Sequence, residues 1–147
     1  MTDKQYYAKC WLNQVYIVTK RELAAKEEVQ ARILASITSG AVDYSKDRIQ
    51  NNNPQGQEDR VITYAQATDD VEKVREKIAR LIRIRLEVIN MVPDSVLRTL
   101  LIERYINQKS WGWIETSLVY SHQRIMQLHL KALTDISDLI PTGDDDL

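Results

Sequence analysis

The sequence predicts an all-α protein: a long antiparallel helical hairpin arm, coiled-coil-like, followed by a small domain of three short helices. Three observations carry this. The chain of 147 residues holds only four glycines and three prolines, the residues that interrupt helices most strongly. Two long stretches, residues 4–38 and 58–91, contain neither and place apolar side chains at steps of three and four. After Pro93, three short amphipathic segments follow one another with turns of only two or three residues between them.

The first stretch is rich in Ala, Glu, Lys, Leu and Gln, all good helix formers. Leu12, Tyr16, Leu23, Ile33 and Ile37 form one apolar track, and Trp11, Val15, Val18 and Val29 form a second beside it. A wide stripe of this kind must be covered by a partner. Gly40 follows the stretch and suits a left-handed helix end. Residues 39–57, with three asparagines, a proline and two glycines, read as the loop of the hairpin, with "YSKDRIQ" packing back on it.

The second long helix is expected over 58–91. Tyr64, Ala67, Val71, Val74, Ile78, Leu81 and Val88 make its seam, with Arg85 the one charge in the series. Heptad spacing of this kind calls for a coiled-coil-like partner: the first helix, a second copy, or both. The arm, residues 1–92, is therefore expected to oligomerise, as a homodimer held through residues 4–91.

Pro93 ends that helix and Asp94 caps the next. In "DSVLRTLLIERYIN", Val96, Leu97, Leu100, Leu101 and Tyr105 point inward. Ser110 caps "WGWIETSL", with Trp111, Ile114 and Leu118 on one face. Ser121 caps "HQRIMQLHLKALTDI", with Ile125, Leu128, Ala132, Leu133 and Ile136 facing the core. Residues 93–137 thus have the minimum pattern of a helix-turn-helix. The remainder, 138–147, is an acidic tail expected to be disordered.

Composition narrows the function. The net charge is −1, and residues 93–136 alone carry +1, so no large basic excess announces a nucleic acid. One cysteine, Cys10, excludes an internal disulfide and reads as a small, partly buried residue in a reducing compartment. No apolar run reaches the length of a membrane span and no leader precedes the first charges, which predicts a cytoplasmic protein without a membrane partner. His122 and His129 lie seven apart with no acid between them. Neither a metal site nor a catalytic triad follows from that spacing, and no glycine-rich phosphate loop is present. No enzyme, metal or cofactor is expected.

Residue identity in the last forty positions adds a resemblance. "ERYINQKSWGWIETSLVYSHQRIMQLHLKAL" resembles region four of bacterial sigma factors, with Ser121, Arg124, Ile125, Gln127, Leu128, Lys131, Ala132 and Leu133 on that signature. Across nearly the whole chain, the long first helix, "YSKDRIQ", the charged second helix and the "KSW…KAL" segment look like the ArpU/RinA-like late-transcription regulators of phages and prophages. Gly112 and Trp113 depart from the family, which has two acidic residues there.

The resemblance implies sequence-specific binding of double-stranded DNA and control of phage late genes, in the nucleoid of a bacterial host. It places His122, Gln123, Met126 and Gln127 toward base edges in the major groove, glutamine being suited to adenine. It places Lys109, Ser121, Arg124 and Lys131 at phosphates, Ser121 through its backbone N–H. Read from the residues alone, Arg124 serves equally well as an ion-pair partner of Glu103 or Glu115, His129 as a packing or surface residue, and Tyr105 and Trp111 as core. Two other readings stay open: a DNA-packaging protein like a small terminase subunit, and a sigma-like module that docks on host RNA polymerase.

Overall fold

Thr2 opens the first helix. Its side chain accepts the Gln5 N–H at 3.2 Å while Gln5 Oε1 accepts the Thr2 N–H at 2.8 Å, a reciprocal cap that satisfies two otherwise open donors. The computed structural model describes residues 1–39 and 54–142, and every regular element among them is helical. The expected all-α class is what the structure has. The readings of Gly40, of "YSKDRIQ" and of the acidic tail from residue 143 onward lie outside the described residues.

Helix α1 spans Asp3–Ile17, a π-helical segment follows over Val18–Leu23, and α2 continues through Ala24–Ser39. A π-turn holds one more residue than an α-turn, and this corrects the expected apolar tracks. Ala8, Trp11, Leu12 and Val15 of α1 are buried, as is Val18, the first residue of the segment; Leu23, its last, and Gln30, Ile33 and Ile37 of α2 are half-buried. Within α2, Gln30 rather than Val29 lies on the covered face, and Val29 is exposed. Tyr16 is exposed as well, so the face is narrower than two full tracks. Cys10 is also exposed rather than partly buried.

Helix α3 runs Pro54–Ile89, four residues longer at its start than the expected 58. Proline has a fixed φ and no N–H to leave unbonded, so it suits a first helical position. The seam is otherwise as expected: Ala67, Val71, Leu81, Arg85 and Val88 are buried, and Tyr64, Val74 and Ile78 are half-buried.

Asp94 caps α4 (Ser95–Leu101) by accepting the Val96 N–H at 2.9 Å. Arg98 reaches back and donates from Nη1 to the Val92 and Pro93 carbonyls at 2.6 and 2.9 Å, closing the end of α3 against α4. A second π-helical segment, Ile102–Ile106, leads to α5 (Trp111–Leu118) and α6 (His122–Ser137).

Contacts divide the chain into two units, Met1–Val18 with Ile78–Leu147, and Thr19–Lys77. This differs from a boundary at 92/93. Ala8, Trp11 and Leu12 of α1 and Val88, Ile89 and Val92 from the end of α3 share one buried cluster with Leu97, Leu100, Leu101, Tyr105, Ile114 and the inner face of α6. The physical reason is size. About forty-five residues in three short helices expose too much surface to form a core unaided, and each Leu or Ile buried against α1 or α3 adds about 1.5–3 kcal/mol. Gln5 adds a polar tie, donating from Nε2 to the Leu130 carbonyl at 3.1 Å and to Thr134 Oγ1 at 2.8 Å on α6.

In the second unit, Gln30 Nε2 donates to Thr68 Oγ1 at 3.0 Å, and Lys77 pairs with Glu22 at 3.1 Å. Val29, Leu34, Val61 and Ile62 are exposed by 43 to 63%. Among the described residues, no helix is long and apolar enough to cross a membrane.

Candidate nucleic-acid interface

The candidate interface is built by α5, a tight turn and α6. Ser110 starts α5 by accepting the Trp113 N–H at 3.2 Å, and Ser121 starts α6 by accepting the Arg124 N–H at the same distance. Between them Val119 turns the chain with φ 58 and ψ 45, in the left-handed region. A β-branched residue is strained there by about 1–2 kcal/mol. Its side chain is 85% exposed, so nothing is recovered by burial. Val119→Gly should therefore raise stability by about 0.5–1 kcal/mol in denaturant titration, after the larger chain entropy of glycine is set against the relieved strain.

Ile125, Leu128, His129, Ala132, Leu133 and Ile136 are buried on the inner face of α6. The opposite face of its first two turns exposes His122, Gln123, Arg124 and Gln127, and Lys131 follows one turn on. Met126 is only half-buried and packs against the core, so of the expected base-facing residues it is the one turned furthest inward. His122 Nδ1 is hydrogen-bonded to Glu115 of α5, which leaves Nε2 as the ring atom open to a partner. Glu115 is thus paired with His122, and Arg124 points from Nη1 to Gln127 Oε1 at 3.5 Å; neither acid expected for Arg124 holds it.

Lys109 Nζ lies 4.9 Å from the centroid of the Trp113 ring, a cation–π pair on the outside of α5. Trp113 remains 43% exposed, with Val119 and Tyr120 exposed on the turn after the same helix. The chain matches no family model, no curated protein and no solved structure.

The inner side of this domain holds a polar pair in an aromatic setting. Tyr105 Oη and His129 Nε2 are 2.6 Å apart, and His129 is buried. The Trp111 ring stands edge-on to the His129 ring at 4.7 Å between centroids, and the Arg104 guanidinium lies over Trp111 at 4.5 Å. Burial, and after it the charges of Lys9 and Arg104, push the His129 imidazole down from 6.5 to about 4. Burial pushes the Tyr105 phenol up. At neutral pH both rings are uncharged, and the bond between them gives the Tyr105 hydroxyl and His129 Nε2 a partner each.

His129 is therefore a packing residue, and Tyr105 is core, as the residue types suggest; Trp111 is only half-buried. Lys9 and Asn13 of α1, which reach the same region, carry no sequence signal for it.

Proposed function

We propose that the chain is a sequence-specific double-stranded DNA-binding regulator of transcription, with α6 as the reading helix. The observation that carries this is the division of α6. Its inner face is closed by an apolar core, while the first two turns leave Gln123, Gln127 and Arg124 at the surface behind a capped N-terminus. Glutamines at that place suit base edges, and Arg124, Lys131 and Lys109 suit phosphates. The sigma-like pattern of these residues supports the same reading. It further suggests a role in phage late-gene control, in the cytoplasm of the bacterial host. A homodimer formed through the arm is part of the proposal, because Val29, Leu34, Val61 and Ile62 leave apolar surface outside the unit's own packing.

Selection from a random duplex pool tests the reading. The wild type should enrich one motif, with two half-sites if the dimer binds. The Gln123→Ala, Gln127→Ala double variant should lose that discrimination by about tenfold or more, at about 1–3 kcal/mol per specific contact, while weak non-specific binding persists. Enrichment of the same motif by the double variant would sink the assignment of α6. Lys131→Ala should instead weaken binding to every sequence and reduce the salt slope by about one.

A second reading, docking on RNA polymerase, is favoured by one feature: Trp113, Val119 and Tyr120 expose apolar surface beside the reading helix. Association with purified polymerase in the absence of any duplex shift would select it.

A further inference from the structure

We propose that the unit containing α6 binds a small aromatic carboxylate in a cleft between α1, the second π-helical segment, α5 and α6. The cleft has a volume of about 250 Å³ and opens to solvent. Its apolar walls are Met1, Tyr105, Trp111, Met126 and Leu130, and its polar lining is Lys9, Asn13, Arg104 and His129. No acidic side chain lines it.

Size, walls and charge each restrict the ligand. An apolar cavity of ~150 Å³ holds benzene, so this space takes one ring with a short substituent. Two aromatic side chains and a thioether favour a ring over an alkyl chain, through edge and sulfur contacts. Among the described residues no carboxylate pairs with Lys9 or Arg104. The Arg104 guanidinium lies over Trp111, and its Nη1 donates to the Lys109 carbonyl at 3.1 Å, so the group is positioned before any ligand arrives. An anionic substituent meets two cations and the Asn13 amide, whereas an amine meets only like charge. A monoanion also suits the site better than a phosphate dianion, because the largely apolar walls make desolvation of the second charge costly. His129, neutral and bonded to Tyr105, supplies a rigid floor. The cleft lies on the inner side of α6 and does not depend on the proposed DNA contacts.

Calorimetric titration with benzoate, phenylacetate and 4-hydroxyphenylacetate, with phenethylamine as the cationic counterpart, tests the site. At least one acid should bind saturably at millimolar concentration or below, and the amine should not. Proton and carbon shifts should centre on His129 and Trp111. Lys9→Gln should weaken the acid by about tenfold, the loss of one charge-assisted contact. Leu130→Trp, which fills the cleft from a position already 37% exposed, should abolish binding without lowering the melting temperature. The proposal is overturned if none of the acids saturates, if the amine binds equally well, if the shifts centre elsewhere, or if neither variant changes the affinity.

Discussion

Arg85→Ala should destabilise the protein by about 3–4 kcal/mol, the range of large-to-small changes at fully buried positions. Arg85 is the largest side chain with no exposed surface. Its guanidinium lies 4.3 Å from the Trp11 ring centroid, and Nε donates to the Trp11 carbonyl at 3.1 Å. Truncation removes the aliphatic stem, the cation–π contact and that hydrogen bond together, and leaves a void against Trp11. Arg85→Met keeps most of the volume and needs no desolvated charge, so its cost should stay below about 1.5 kcal/mol. Urea denaturation of the two variants checks the pair. If methionine costs as much as alanine, the polar contacts of the guanidinium, rather than its packing, hold α3 to α1.

Acid should weaken the fold between pH 6.5 and about 4 through His129. In that window the unfolded chain binds a proton that the folded imidazole refuses, so stability rises with pH there. The contribution is fully present above 6.5, declines as pH falls, and is lost once pH passes about 4. The shift corresponds to about 3 kcal/mol at most. His129→Phe keeps the ring packing and removes the titration. It leaves the Tyr105 hydroxyl without its hydrogen-bond partner, a cost of about 1–3 kcal/mol that does not vary over this range. The difference in unfolding free energy between about pH 7 and about pH 4.5 should therefore shrink by about 2–3 kcal/mol in the variant. An unchanged difference would show that His129 does not govern the acid limb.

Local features were legible in the sequence because their causes are local. Asp94, Ser110 and Ser121 cap the helices they precede, each by a side-chain oxygen next to open N–H groups. The inner face of α6 follows from spacing alone, and the outward row of Gln123 and Gln127 follows from its complement. What escaped depends on partners distant in sequence or on backbone choices without a marker. Nothing in "VTKREL" announces a π-turn, since it contains neither glycine nor proline.

The docking of α1 on α6 through Gln5 joins residues more than a hundred positions apart. The pairing of His122 with Glu115 required the angle between two helices, and it removed Glu115 from the acids open to Arg124. The cleft was invisible for the same reason: its walls come from four separate segments, and no one of them has an unusual composition.

The π-helical segment Val18–Leu23 has a consequence for how the chain tolerates change. Deleting any one of its residues would restore ordinary helical bonding, so the backbone itself would lose little. The segment carries one residue more than α-helical turns need, so a one-codon deletion there removes the surplus and leaves the helical spacing on either side as it is. The same deletion inside α1 or α2 has no surplus to remove and turns the side chains that follow by about 100° about the helix axis. The segment is a slack link, where the chain can shorten by one residue more cheaply than in the turns beside it.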